Sequence, residues 1–295
     1  MTSCPFRPIA AVVALVLAVP GLAGAQARER VAFVALVDER SGAPVDELSA
    51  ADLVIREDKV AREVLRITPA TGPMPIAVLV DTSAAAEPAV PDLRNAIRAF
   101  VGALGDLGPI ALISFGERPT VIADYSNAPG ALDAGIGRIF SRPGSGATLI
   151  EAVLETARGL GRRESERAAI VVLAAGGPEL STMHHAQALD ALRTSGATLH
   201  VVTVSPPGSA RFTDEQRERD ALLDRGVRRT GGLRRDVLAS MAFAPALAEV
   251  ARVLTHQHRV VYARPQSLIP PETFEVTAAR PGFVAYGTAA RGQSR

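Results

Sequence analysis

The chain has 295 residues and very little of several things: one cysteine, one lysine among 32 basic residues, and no apolar run long enough to cross a bilayer. The cysteine, Cys4, precedes the first apolar run. A mature chain that begins after that run has no thiol, which excludes disulfides, thiol catalysis and redox roles. The run itself, Ile9 to Leu22, is broken by Pro20 and falls short of the roughly 20 apolar residues a spanning helix needs. Charge of one sign is lacking too. Removing Arg7 with the leader leaves 31 basic against 31 acidic residues, so nothing electrostatic favours nucleic acid or an anionic membrane surface. The arginine excess, with only Lys59 as lysine, fits a genome rich in arginine, alanine, glycine and proline codons. No internal repeat is visible.

What is present begins with an export signal. Arg7, the apolar run and the small residues Ala23, Gly24 and Ala25 place a cleavage site near Gln26. The rival is a membrane anchor, disfavoured by length. Hydrophobic residues make up 47% of the chain, an ordinary value for a globular core.

The central stretch is PIAVLVDTSAAAE, Pro75 to Glu87. Five apolar residues, Ile76 to Val80, suit a strand buried on both faces of a parallel sheet. Asp81 ends it, and Leu93, Ile97, Val101 and Leu104 then recur at helical spacing over Pro88–Leu104. The polar loop therefore lies at the carboxyl end of a strand, where open α/β sheets bind ligands. Further core strands are expected at 109–116, 169–174 and 198–204, an edge strand at 120–125 and a short one at 233–238. Helices are expected at 129–140, after the glycine-rich loop 143–148, at 185–195, at 221–227 behind a capping box of Thr213 and Gln216, and at 244–255. Before this region lie strand-like pieces at 31–37, 53–55 and 60–67, with a tight turn at Asp58 and Lys59. After it lie HRVVYARP, ETFEVTAA and PGFVAYGTA.

The pattern predicts an α/β class: a doubly wound, mostly parallel sheet with a small β module from both terminal segments. The domains are a signal at 1–25, a β segment at 26–72, the α/β domain at 73–257, and a carboxyl-terminal β segment at 258–295 packed with 26–72. Each terminal segment alone is too small to bury a face.

Order, spacing and loop residues over Pro75–His256, with the internal Thr230-Gly231-Gly232, resemble a von Willebrand factor A domain. The flanks, VALVDERSGAPVDELSAADLVIRED and YARP with FEVTAARPGFVAYG, resemble exported bacterial "VWFA-related" proteins. The resemblance implies a metal ion-dependent adhesion site: Asp-x-Ser-x-Ser on one loop, Thr on a second and Asp on a third. Asp81 and Ser83 match the first loop, but Ala85 stands at its last position. Thr148 matches the second, and Ala175 stands where the third loop's Asp would be. The implied metal residues are thus a vestigial set, Asp81, Ser83 and Thr148, within a ligand-binding rim that adds Glu87 and Glu179. The expected cofactor is none, with Mg²⁺ as the alternative.

Other chemistries are poorly supplied. The loop 143–148 lacks the GK[ST] ending of a P-loop. Ser83 has no G-x-S-x-G turn around it, which leaves a hydrolase as the remotest reading. Asp81 and Ser83 can serve simply as caps for the following helix. His184 and His185, with Glu179 nearby, are a conceivable transition-metal pair, though adjacent residues do not share a helix face. His256 and His258 read as solvated boundary residues, and the arginine-rich segment 211–235 as a helix's polar face. The expected function is an exported, non-enzymatic protein-binding module with little metal dependence, its partner a protein, without nucleic acid and without membrane insertion of the mature chain. The alternative is a metal-dependent adhesin with a remodelled Mg²⁺ site. Amino-terminal sequencing of protein recovered from the envelope or medium should begin within a few residues of Gln26; retention of Met1 defeats the export reading.

Overall fold

The computed structural model describes residues 27–163, 165–204, 213–265, 269 and 271–291, so the export signal and positions 211–212 of the arginine-rich segment lie outside the described residues. In chain order the first strands are β1 (Ala27–Asp38), β2 (Leu53–Glu57), β3 (Val60–Arg62), β4 (Val64–Pro69) and β5 (Ile76–Val80). Then follow α1 (Val90–Leu104), β6 (Ile110–Ser114), β7 (Thr120–Ser126), α2 (Pro129–Gly137), α3 (Leu149–Gly161) and β8 (Ala168–Ala174). The rest is α4 (His185–Ser195), β9 (Ala197–Val204), α5 (Asp214–Thr230), β10 (Arg234–Val237), α6 (Phe243–Thr255), β11 (His258–Pro265), β12 (Phe274–Ala278) and β13 (Phe283–Ala289).

The central sheet has the order β10-β9-β8-β5-β6-β7, parallel except for β7, which returns antiparallel beside β6. β5, β8 and β9 are buried at every position because helices cover both faces, which is why β5 and β8 are apolar without alternation; β9 also buries Thr198, His200 and Thr203. One face packs α1, α2 and α6 through Leu93, Ile97, Phe100, Leu247 and Val250. The other packs α3, α4 and α5 through Leu149, Val153, Leu192 and Leu222. The chain leaves β5 toward β6 on one side and later returns to β8 on the other. The switch point therefore lies at the carboxyl end of β5.

The two terminal segments form the remaining sheets. β13, β1, β11 and β4 make an antiparallel sheet in that order, and β12, β2 and β3 a second. β1 is sandwiched: Ala32, Val34 and Leu36 face the smaller sheet, while Ala35 and Val37 join the core under α6. Gly231 (φ 62°) closes α5 in the left-handed region, and a Cβ there would fall 1.8 Å from the carbonyl oxygen of Gly287 on β13. Only glycine permits that approach.

Several boundaries differ from the sequence expectation. The strand expected at 60–67 splits at Glu63, because β3 pairs with β2 and β4 with β11. The helix expected from Pro88 starts at Val90, after a 3-10 turn over Ala84–Ala89. α2 ends at Gly137, and α5 runs from its capping box to Thr230, far beyond 221–227, with Arg234 and Arg235 on β10. His258 is buried, its Nε2 2.9 Å from the carbonyl oxygen of Asp46, so it is no solvated boundary residue. Glu57 occupies an inward position of β2, where Tyr262 donates to it (2.9 Å) and Arg62 and Arg264 pair with it (3.2 and 3.3 Å).

Arg167, just ahead of β8, ties the units together. Its buried guanidinium donates to the carbonyls of Ala70 (3.2 Å) and Gly72 (2.6 Å) and to Gln257 Oε1 (3.0 Å). Arg167→Met orphans these acceptors and should lower stability by about 2–4 kcal/mol, read from the midpoint of urea unfolding. A shift below about 0.5 kcal/mol defeats this assignment.

Candidate functional site

β5 delivers Asp81 to the switch point, where it is 1% exposed. Its Oδ1 accepts the Ser83 N–H (2.8 Å) and its Oδ2 accepts the Ala175 N–H (2.9 Å). The carboxylate is thus held by backbone amides from two loops, an arrangement that stabilises the anion without a cation. Thr82 Oγ1 accepts the Gly116 N–H (3.1 Å), and Thr148 Oγ1 donates to the Gly116 carbonyl (3.2 Å). The Ala84 N–H reaches Ser145 O (3.1 Å). Asp81, Ser83 and Thr148 therefore stand on loops stitched to one another at the carboxyl ends of β5 and β6.

The third loop, 175–184, is fastened down as well. Ala147 N–H donates to Pro178 O (2.8 Å) and Leu180 N–H to Ala147 O (2.7 Å), a one-residue parallel bridge. Glu179, 3% exposed, accepts the Leu149 N–H (3.0 Å) and the Ser181 hydroxyl, while Ser181 Oγ accepts the Ile150 N–H (3.1 Å). The first amides of α3 are capped from a distant loop, since Thr148 at the N-cap makes no capping bond. Arg219 on α5 holds the Gly177 carbonyl (3.0 Å). A Cβ on Gly177 would lie 2.6 Å from Ala85 Cβ and 3.3 Å from Ser83 Oγ, so this loop packs on the positions where further oxygen donors would sit.

Among the described residues three buried side-chain oxygens have no hydrogen-bond partner, Ser83 Oγ, Glu151 Oε2 and Glu179 Oε2. Burial pushes the Glu179 carboxyl up to about 7, against the bonds from Ser181 and Leu149 that favour its anion. Ser83 makes no capping bond, contrary to the capping role open to it, and Asp81 accepts the amide of Ser83 itself rather than one inside the following turn. Glu87 is exposed on the 3-10 turn and its carboxylate joins no hydrogen bond or ion pair among the described residues, so it stands apart from the buried set. His185 pairs with Glu218 (2.6 Å), not with Glu179, and His184 is exposed. Sequence reasoning missed Gly177, Ser181 and Arg219. The Gly176-Gly177 pair was the local signal for a close backbone approach; Ser181 and Arg219 carried none.

The donors fit a divalent ion poorly. Mg²⁺ takes near-octahedral oxygen and usually one or two carboxylates. Here the implied positions supply a single carboxylate, whose oxygens already accept two amides, and alanine stands at 85 and 175, where the resemblance implies Ser and Asp. Among the described residues no three His, Cys, Asp or Glu side chains gather as a metal set.

Neither a protein-family model nor a curated protein matches the chain. Solved structures do. A von Willebrand factor type A protein from Catenulispora acidiphila aligns at TM-score 0.51 and 12% identity, over 91% of this chain and 64% of that one. The central unit has the von Willebrand factor A fold. Proximal thread matrix protein 1 from the mussel byssus aligns at TM-score 0.51 and 16% identity, over 68% of this chain and 51% of that one. An aerotolerance-related membrane protein from Bacteroides fragilis gives TM-score 0.47 at 16% identity, over 60% and 98%. This chain spans less than two thirds of the first two relatives, and at these identities the likeness is one of fold. No helix among the described residues is long and apolar enough to cross a membrane.

Around the closed cup of the A fold, Phe140, Leu180, Met183 and Leu238 are exposed on loops at this end of the sheet, and Met241 on the 3-10 turn Ser240–Ala242. The cup also sets a pH dependence. Folding holds the Glu179 proton to about pH 7 against 4.5 for the unfolded side chain, so stability present below 4.5 is lost as pH rises through 7. His200, fully buried in β9 and lowered to about 3 by burial, acts oppositely: stability is lost as pH falls from 6.5 toward 3. Glu179→Gln should flatten the upper limb of a stability–pH profile, by on the order of 3 kcal/mol, and leave the lower limb unchanged. Identical profiles for the two proteins refute the burial of an acid there.

Proposed function

We propose that the chain is an exported, non-enzymatic module that binds a protein partner through the loops at the carboxyl ends of the central strands, with little or no dependence on metal. The observation that carries this reading is the state of Asp81. Both its oxygens accept backbone amides, no second carboxylate stands at 85 or 175, and Gly177 packs over Ala85 and Ser83, which together speak against a metal bridge to a partner. Exposed apolar side chains ring the cup, and such rims mark protein contacts when they cluster. Catalysis lacks its parts. Ser83 Oγ has no base beside it, and His185 is held by Glu218 on α5.

A metal-dependent adhesin is the second reading, favoured by one feature: Glu179 Oε2 is buried without a partner near the loops that carry Thr148 and Ser83. Calorimetry separates the two. The wild type should give no Mg²⁺ binding heat at millimolar concentration, whereas Ala85→Ser with Ala175→Asp should gain it, each restored donor adding roughly 1.4 kcal/mol or more. Tight wild-type binding abolished by Asp81→Ala establishes the adhesin. A partner captured from the envelope fraction should stay bound in chelator and be lost with Leu180→Asp plus Met183→Asp. Release by chelator, with retention by that double variant, overturns the proposal.

A further inference from the structure

A second concavity lies away from the loops discussed above. Between α4 and α5 on one side and the terminal strands on the other is a cleft of about 640 Å³, a size ordinary for small-molecule sites, which favour the junctions between structural units. Leu189, Leu192 and Gly226 form its helical floor, and Phe274 and Ala289 face them from β12 and β13. Gly226 keeps that floor low: its missing Cβ would meet Leu199 at 2.7 Å and Leu192 at 3.4 Å.

The charges around this apolar interior are unevenly spent. Glu57 is neutralised by Arg62 and Arg264 and bonded by Tyr262, and Asp190 is paired with Arg193 (2.6 Å). Arg228 is paired with Asp224 (2.7 Å). Glu272 and Glu275 stand exposed on the strand side. On the helical side Arg225 has only the His185 ring nitrogen (3.2 Å), and Arg229 makes no ion pair or hydrogen bond among the described residues. Lys59, the chain's sole lysine, reaches the same cleft from the turn between β2 and β3. Two arginines without a carboxylate thus border a hydrocarbon-lined space, and their planar forks match the two oxygens of a carboxylate.

We propose that this cleft binds an amphipathic carboxylate, an acyl chain lying on Leu189, Phe274 and Ala289 with its anionic end on Arg225 and Arg229. The site is separate from the protein-binding face and stands or falls without it. The chain has no tryptophan, which leaves the ultraviolet window clear for a polyene probe. cis-Parinaric acid titrated into the mature chain should show saturable one-to-one binding, displaced by oleate and not by oleyl alcohol. Arg229→Glu, on an exposed helical position, should weaken binding roughly tenfold or more. Ala289→Phe, which fills the cleft, should weaken it at least as much. Leu180→Asp with Met183→Asp should leave it unchanged. Failure to saturate, equal displacement by the alcohol, or full affinity in Arg229→Glu overturns the proposal. Loss of binding in the Leu180 and Met183 variant moves the site elsewhere and overturns it too. Should Ala289→Phe misfold by circular dichroism, Arg229→Glu and the alcohol control decide alone.

Discussion

A carboxylate sealed from water at the end of the central strand has to be compensated, and that requirement shapes the whole upper end of this molecule. Asp81 is satisfied by the amides of Ser83 and Ala175. One of these lies two residues away and costs nothing in topology; the other lies on the neighbouring strand's loop, which must therefore descend over the cup. Once it does, glycine is required at 177, where a Cβ would lie 2.6 Å from that of Ala85. The same descent brings Glu179 and Ser181 onto the bare amides that begin α3. With alanine at 175, every loop of the cup still meets its neighbours through backbone hydrogen bonds.

Much of this was legible in the residues. Uninterrupted apolar runs such as Ile76–Val80 and Ala168–Ala174 announce strands with both faces covered, and Leu93, Ile97 and Leu104 announce the helix between them. The split at Glu63 was not legible, because a two-residue alternation shows a strand and not which partner takes it. α5 was underestimated since its first two turns, Asp214 to Asp220, carry no apolar face to read; only the capping box at Thr213 marked the true start. The candidate site divides the same way. Asp81, Ser83 and Thr148 sit on loops that follow from strand order. Glu179 as a cap for α3, 30 residues earlier, and Glu218 as the partner of His185 are pairings at a distance, and nothing local in the sequence encodes them.

The strands from the two ends of the chain are integral to the domain core rather than an ornament upon it. β1 has apolar residues on both faces since one meets the smaller sheet and the other meets the layer under α6, which explains an unbroken VAFVALV in an antiparallel strand. Arg167 and the contact of Gly231 with Gly287 join the same two units on either side of Phe33 in β1. A buried guanidinium spending its donors on main-chain carbonyls tolerates little sliding, and a glycine whose backbone touches another backbone tolerates none.

The pairing of β1 with β13 carries an implication for how the molecule is presented. The Ala290 N–H bonds to Val31 O and the Arg291 N–H to Glu166 O, just ahead of β8, so the described chain starts and finishes near the amino ends of the central strands. Asp81 and its loops occupy the opposite pole. Both ends of the described chain are therefore tied to the pole behind the cup, and the loops around Asp81 stand clear of them.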